Sequence, residues 1–196
     1  MVLASHIIFT CYGFWLPNDP RGSWSDFVRS WELYWYGGPT KTDERGSLAR
    51  RPHDRDLRKA QKSALTYDPV ELTGLQAWHI AKGFAKAVAE CKYLVYACSI
   101  MPGHVHMVVA RHTSLAEQIA GHFKRRGTWE LTAAGLHPFV HLRGEDGRYP
   151  SLWARKAWKV FLDTNEAIER AVDYVEKNPL KEGKPKQHWS FVTKFQ

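Results

Sequence analysis

Met101-Pro102-Gly103-His104-Val105-His106-Met107-Val108-Val109 joins a chain break to an alternating run. Pro102-Gly103 breaks the chain. The residues after it alternate with a period of two, so Val105, Met107 and Val109 share one side of a strand while His104 and His106 share the other. Tyr93 to Met101 alternates before the break, and the two segments pair as an antiparallel hairpin. One face of that hairpin is core, and the other carries both imidazoles.

Working outward, Ile80, Phe84, Ala87, Val88 and Cys91 recur at helical spacing and predict an amphipathic helix over Leu75 to Cys91. A second helix is expected from about Ser114 to Thr132. Between Ala133 and Trp153 the glycines, proline and charges read as a loop with at most one irregular strand, and Ala157 to Leu162 reads as the last strand. Asp163 is the expected cap of a final helix, with Glu166 reaching back to it. That helix is expected to run to about Asn178 and to end at Pro179. Upstream, His6 to Tyr12 is rich in β-branched and aromatic side chains, as a central strand would be. The order strand, helix, strand, strand, helix, strand, helix implies an α+β fold: an antiparallel sheet with helices packed on one face.

From Gly13 to Gly74 the period is lost, apart from a short helix around Asp54 to Leu65, and proline, glycine, tryptophan and charge dominate. We read this segment as a long insertion in a single domain spanning residues 1–196. Its tryptophans Trp15, Trp24, Trp31 and Trp35, with the basic run from Arg50 to Lys62, suit either a flap that stacks bases and binds phosphates or a small packed subdomain with a solvated face.

The chain is 44% hydrophobic and 13% aromatic, which excludes a disordered tail or a fibre. Lysine and arginine exceed aspartate and glutamate by 28 to 20, so the net charge of +8 favours a polyanionic partner. Cys11, Cys91 and Cys98 lie in apolar stretches without metal or redox spacing and read as reduced thiols. No apolar run reaches membrane-spanning length, and the first residues lack the basic start of a secretion signal, so the expected location is the cytoplasm.

Two imidazoles at i and i+2 on a strand can converge on one metal ion. A lone pair of that kind is more readily a solvated strand face. The final helix supplies the second observation. Ile168, Ala171, Val172 and Val175 mark its buried stripe, and Tyr174 and Asn178, four residues apart, project together from the edge. A phenol needs a base or a metal-polarised phosphate to attack a phosphodiester at neutral pH. His104, His106 and the Asn178 carbonyl would supply three ligands for such a metal.

These residues resemble the HUH single-tyrosine transposases, and within them the REP-associated tyrosine transposases. The likeness rests on Met101-Pro102-Gly103-His104-Val105-His106, on Val172-Asp173-Tyr174-Val175-Glu176-Lys177-Asn178-Pro179-Leu180-Lys181-Glu182-Gly183, and on Trp189-Ser190-Phe191 near the end. It covers Leu75 to Gln196 and the first strand. It implies a ferredoxin-like sheet, His104, His106 and Asn178 as metal ligands, and Tyr174 as the nucleophile. It also implies cleavage of single-stranded DNA beside a hairpin through a 5′-phosphotyrosine intermediate, with a divalent metal, Mg2+ or Mn2+, and no nucleotide cofactor. The ligand types suit manganese at least as well as magnesium.

Three basic clusters flank the two motifs and are the candidate DNA contacts: Lys124, Arg125 and Arg126; Arg155, Lys156 and Lys159; and Lys177, Lys181, Lys184 and Lys186. Trp129, Trp153 and Trp158 are candidate stacking residues. His6 and the remaining histidines read as structural or surface residues. The expected partner is single-stranded DNA, bound by a monomer or homodimer away from any membrane. Rival readings are a hairpin-binding protein with little catalysis, a hydrolytic metal nuclease, and an RNA-binding sheet, the last weakened because His104 to Arg111 lacks any aromatic.

Overall fold

The hairpin read from Met101 to Val109 is present and forms half of a four-stranded sheet. The computed structural model describes residues 1–44, 48–49 and 51–196. Its elements are β1 (Ala4–Cys11), α1 (Trp31–Tyr34), α2 (Arg55–Ser63), α3 (Gly74–Cys91), β2 (Val95–Ile100), β3 (His104–Ala110), α4 (Ala116–Ala133), β4 (Trp153–Leu162) and α5 (Asn165–Lys181). A single 3-10 turn (Val140–Leu142) occupies the loop in which an irregular strand had been allowed. The chain divides into two compact units, residues 12–70 and the remainder.

In the larger unit the strands are ordered β2-β3-β1-β4 and every pairing is antiparallel. With α3 and α4 as the two crossovers this is the β-α-β-β-α-β arrangement of ferredoxin-like folds, and β1 is central as its apolar run requires. Thr73 caps α3 in a reciprocal box with Gln76.

The sheet register decides which side chains meet. His6 stands opposite Val108, Ile8 opposite His106 and Thr10 opposite His104. Directly paired residues project to the same face, so His6, His104 and His106 share one. Ile7, Phe9, Val105 and Met107 occupy the other.

The helices divide between the two faces, which differs from the single helical face expected. On one face Phe9 meets Phe84 of α3 edge-on, with ring centroids 6.1 Å apart, and Phe84 meets Phe123 of α4 at 5.0 Å. The two helices approach so closely that a Cβ at Gly83 would lie 2.4 Å from the Arg126 carbonyl oxygen, so only glycine fits there. On the other face Ile168, Ala171 and Val175 of α5 pack on Ala4, Ala97, Val108 and Leu162. Alternation in β3 shows both faces to be apolar in part, and a sheet with two apolar faces needs two covers.

Three local expectations are corrected. Thr164, not Asp163, caps α5, its hydroxyl accepting from Ala167 N at 3.1 Å. Pro179 lies inside the last turn rather than ending the helix, and the chain turns off at Gly183 with positive φ. β4 begins at Trp153, earlier than Ala157, because a register irregularity opposite Phe9 and Cys11 interrupts the alternation that marks a strand. The C-terminal tail then returns along β2. Gln187 hydrogen-bonds both backbone groups of Ile100 at 2.8 Å, and Thr193 N donates to Val95 O.

The unit of residues 12–70 is a packed subdomain. Asp19 is fully buried, chelated by Arg21 at 2.8 and 2.7 Å and touched by Arg58 at 3.3 Å. Arg21 also lies 3.7 Å from the centre of the Trp15 ring, and Trp15 stacks on Trp24. Asn18 Nδ2 donates to Leu33 O and Gln61 Nε2 donates to Asn18 O, each at 2.8 Å, tying α1 and α2 to one loop. Of the basic run, Arg50 lies outside the described residues.

Candidate active site

On α5, Tyr174, Asn178 and Lys181 follow one another at i, i+4 and i+7, so they line up on one side of the helix. Because the same helix packs its apolar stripe on the histidine face, that line comes down on the imidazoles. The Tyr174 ring lies 5.6 Å from the ring of His106 and 5.9 Å from that of His6, centre to centre. Lys181 Nζ stands 4.1 Å from the centre of the Tyr174 ring. Tyr174 is 38% exposed, so a substrate can reach it, whereas His104, His106 and Asn178 are buried beneath.

The rings of His104 and His106 are 4.9 Å apart. Asn178 faces His104 from α5, its amide 3.4 Å from His104 Nε2. That is long for a hydrogen bond, and the two ends of an amide are interchangeable in assignment, so the carbonyl oxygen is equally able to face this point. His106 is held from the other side: its Nδ1 is 3.0 Å from Nε2 of His6. That bond occupies Nδ1, so any ligand chemistry of His106 falls to Nε2.

Burial pulls the pKa of His6 and of His104 down to about 4. Burial lowers His106 well below its ordinary value too, reinforced by His104, His6 and Lys181. All three are therefore neutral at pH 7, the form in which imidazole donates a lone pair. Among the described residues no group of three or more His, Cys, Asp or Glu side chains is arranged for a metal ion. A cation here would take its third protein ligand from the Asn178 amide. Two neutral imidazoles and a buried amide converging below an exposed phenol fit that role, and an apolar filler would serve packing better.

Tyr174, His104, His106 and Asn178 are thus brought together. His6, read as structural or surface, is the residue that sequence reasoning missed, since it stands alone in an apolar run with its partner 100 positions away. Only the β1–β3 register reveals it.

The basic residues separate. Lys124 is buried within α4, its ammonium donating to the carbonyls of Ala154 at 2.7 Å, Lys156 at 3.1 Å and Arg155 at 3.3 Å. Three donors meet three acceptors, so it is spent on fixing the irregular start of β4 rather than reaching for phosphate. Burial draws its pKa down to about 8. Arg126 is forked onto Glu90 and lies over Trp129. Arg125 and Arg155 line an open groove of about 310 Å³ beside exposed Trp129. Lys177 is paired with Asp173 at 2.7 Å on α5, on the opposite side of the sheet from α4. The three clusters do not form one track. Trp153 is a core residue, its indole N–H bonded to Lys124 O and Thr128 Oγ1.

No protein-family profile and no curated protein sequence matches the chain. Among solved structures it is similar to a REP-associated tyrosine transposase bound to a REP hairpin, with 13% identity, 95% of this chain and 73% of that chain covered, and a TM-score of 0.49. It is also similar to a transposase candidate from Deinococcus radiodurans R1, with 10% identity, 90% and 91% covered, and a TM-score of 0.39. At these identities the likeness concerns shape, and the chemistry rests on the residues. No helix among the described residues is long and apolar enough to cross a membrane.

Proposed function

We propose that the chain is a single-tyrosine DNA strand transferase of the HUH type, transposase-like in its chemistry, acting on single-stranded DNA beside a hairpin. The observation that carries the reading is the placement of the exposed Tyr174 phenol over buried His6 and His106, with Lys181 at its ring and Asn178 facing His104.

Tyr174 Oη attacks the phosphorus of a phosphodiester. As the Oη–P bond forms, the bond from phosphorus to the 3′ oxygen breaks, and that oxygen takes up a proton to leave as a 3′-hydroxyl. The phenol proton passes to solvent. The strand remains attached through a 5′-phosphotyrosine, and attack by a 3′-hydroxyl reverses the step and rejoins it. Lys181, one ammonium beside the ring, meets the charge gathering on the phosphate oxygens. His104, His106 and the Asn178 oxygen are the residues that would hold a divalent cation, Mg2+ or Mn2+, which there would polarise a phosphate oxygen. His6 accepts from Nδ1–H of His106 and so fixes the tautomer that leaves Nε2 as the lone-pair nitrogen. Arg125, Arg155, Lys177 and Lys181 remain the candidate phosphate contacts.

The test is incubation of the chain with Mn2+ and labelled single-stranded hairpins, read by denaturing gels and by mass spectrometry of the protein. Expected is a DNA adduct on Tyr174 whose formation chelator prevents and Tyr174→Phe abolishes, with hairpin affinity unchanged in that variant. Cut DNA without an adduct would instead establish hydrolysis. Binding without cutting, in an assay where an active single-tyrosine transposase works, would leave a hairpin-binding protein.

A further inference from the structure

We infer that residues 12–70 hold a second nucleic-acid site, a grip for single strands in which α2 takes backbone phosphates and α1 stacks bases. It is independent of Tyr174 and its chemistry. The first observation is a cavity of about 470 Å³ along α2, walled by Arg55, Arg58, Lys59, Lys62, His53 and Ser63, with Asp68 the opposing carboxylate. Arg55, Lys59 and Lys62 recur at i, i+4 and i+7, so they share one side of the helix, while buried Gln61 anchors the helix through Asn18. Arg58 is set in place by Asp19. Four cations around one concave surface raise the local potential in a way a convex solvated face does not, and a row of phosphates is the matching charge pattern.

The second observation lies on α1. Phe27, Trp31, Tyr34 and Trp35 are 69%, 72%, 67% and 79% exposed, four large rings within nine residues. Trp15 and Trp24 of the same unit are half-buried, Trp15 packing under Arg21 and stacking on Trp24, whereas these four rings stand out in solvent. Trp31 and Trp35 are four apart and Tyr34 three from Trp31, so they share the side of the turn opposite buried Leu33. Exposed flat rings and a concentration of cations within one small unit are the two components of a sequence-tolerant single-strand site, since every base has a face to stack and every nucleotide a phosphate. Asn18 joins the two helices that carry them.

The experiment is anisotropy with a labelled oligothymidylate of about 15 nucleotides, using the full chain in chelator so that no strand is cut. Arg55→Glu/Lys59→Glu should weaken binding about tenfold or more and make the log–log salt dependence shallower by roughly 1.4, two phosphates at about 0.7 each. Trp31→Ala/Trp35→Ala should also weaken binding about tenfold or more, but leave the salt slope unchanged and reduce the quenching of tryptophan emission. All four positions are exposed at the surface of the unit, so thermal melting should match the unaltered chain, and the two variants act on different observables. Unchanged affinity and slope in both variants, or no oligothymidylate binding by the unaltered chain, overturns the inference. A chain that forms no Tyr174 adduct yet loses oligonucleotide affinity in these variants keeps this site and loses the transferase reading. The adduct without any change in affinity does the reverse.

Discussion

On the side of the sheet toward α3 and α4, Phe9, Phe84 and Phe123 meet edge to face, and Met107 and Val105 complete a dry interior. On the side toward α5, alternate residues of the same strands give Ala4 and Val108 to packing, then His6, His104 and His106 to the proposed site. The change of use takes place along one helix: Ile168, Ala171 and Val175 pack, and Tyr174, Asn178 and Lys181 face the imidazoles. A small fold can thus hold buried, uncharged histidines. One face supplies the cohesion, so the other tolerates groups that contribute little to it.

The largest expected effect follows damage to the cohesive face. Phe84→Ala removes a fully buried ring that touches Phe9, Phe123 and Phe191, and should cost about 3–5 kcal/mol of unfolding free energy. Urea denaturation measures it. Under conditions where the variant is still folded, the Tyr174 adduct should form at an unaltered rate per folded molecule. A loss below about 1 kcal/mol would mean that this face does not carry the fold.

The next effect belongs to the histidine face and is read by acid. The folded-state values of His6 and His104, about 4, lie below the unfolded value of 6.5. The unfolded chain therefore binds more protons between those limits. Stability is whole above pH 6.5 and falls as pH drops toward 4, by roughly 2–3 kcal/mol for each histidine. Asp19 behaves differently. Burial raises its pKa, but hydrogen bonds and charge from Arg21, helped by Arg58, more than offset this and hold it below the usual carboxylate value. Its contribution is therefore lost only below about pH 4. Denaturant midpoints without metal should show the first loss between pH 6.5 and 4. His6→Gln/His104→Asn should reduce the loss in that portion alone, leaving the part that buried His106 contributes. An unchanged pH profile in the double variant would place the acid sensitivity elsewhere.

The sequence made part of this legible. The period of two at His104 to Val109 and the four-residue step from Tyr174 to Asn178 are local patterns, and local patterns survive in a string of letters. The second helical layer was not legible, because Val108 shares its face with the histidines and reads as an exception until α5 is seen to cover it. Lys124 looked like one of three cations in a row, and only its three carbonyl partners on β4 show that its charge is already committed. In residues 12–70 the four tryptophans are alike as letters; Arg21 over Trp15 and the stacking of Trp24 on Trp15 separate those two from exposed Trp31 and Trp35.

The smallest expected effect decides whether His6 belongs to the packing or to the chemistry. His6 Nε2 lies 3.0 Å from His106 Nδ1, and in the proposed site it accepts from that nitrogen and positions a ligand without being one. His6→Leu keeps the bulk and removes the acceptor, so the Mn2+ concentration needed for half-maximal adduct formation should rise about 10–100-fold. His6→Gln restores an acceptor and should recover part of that shift, which a packing role would not predict. Both variants leaving the Mn2+ requirement untouched would return His6 to the core. A complete loss of adduct in His6→Leu at any Mn2+ concentration would make His6 a ligand itself, and the set around the cation would then be three imidazoles and an amide.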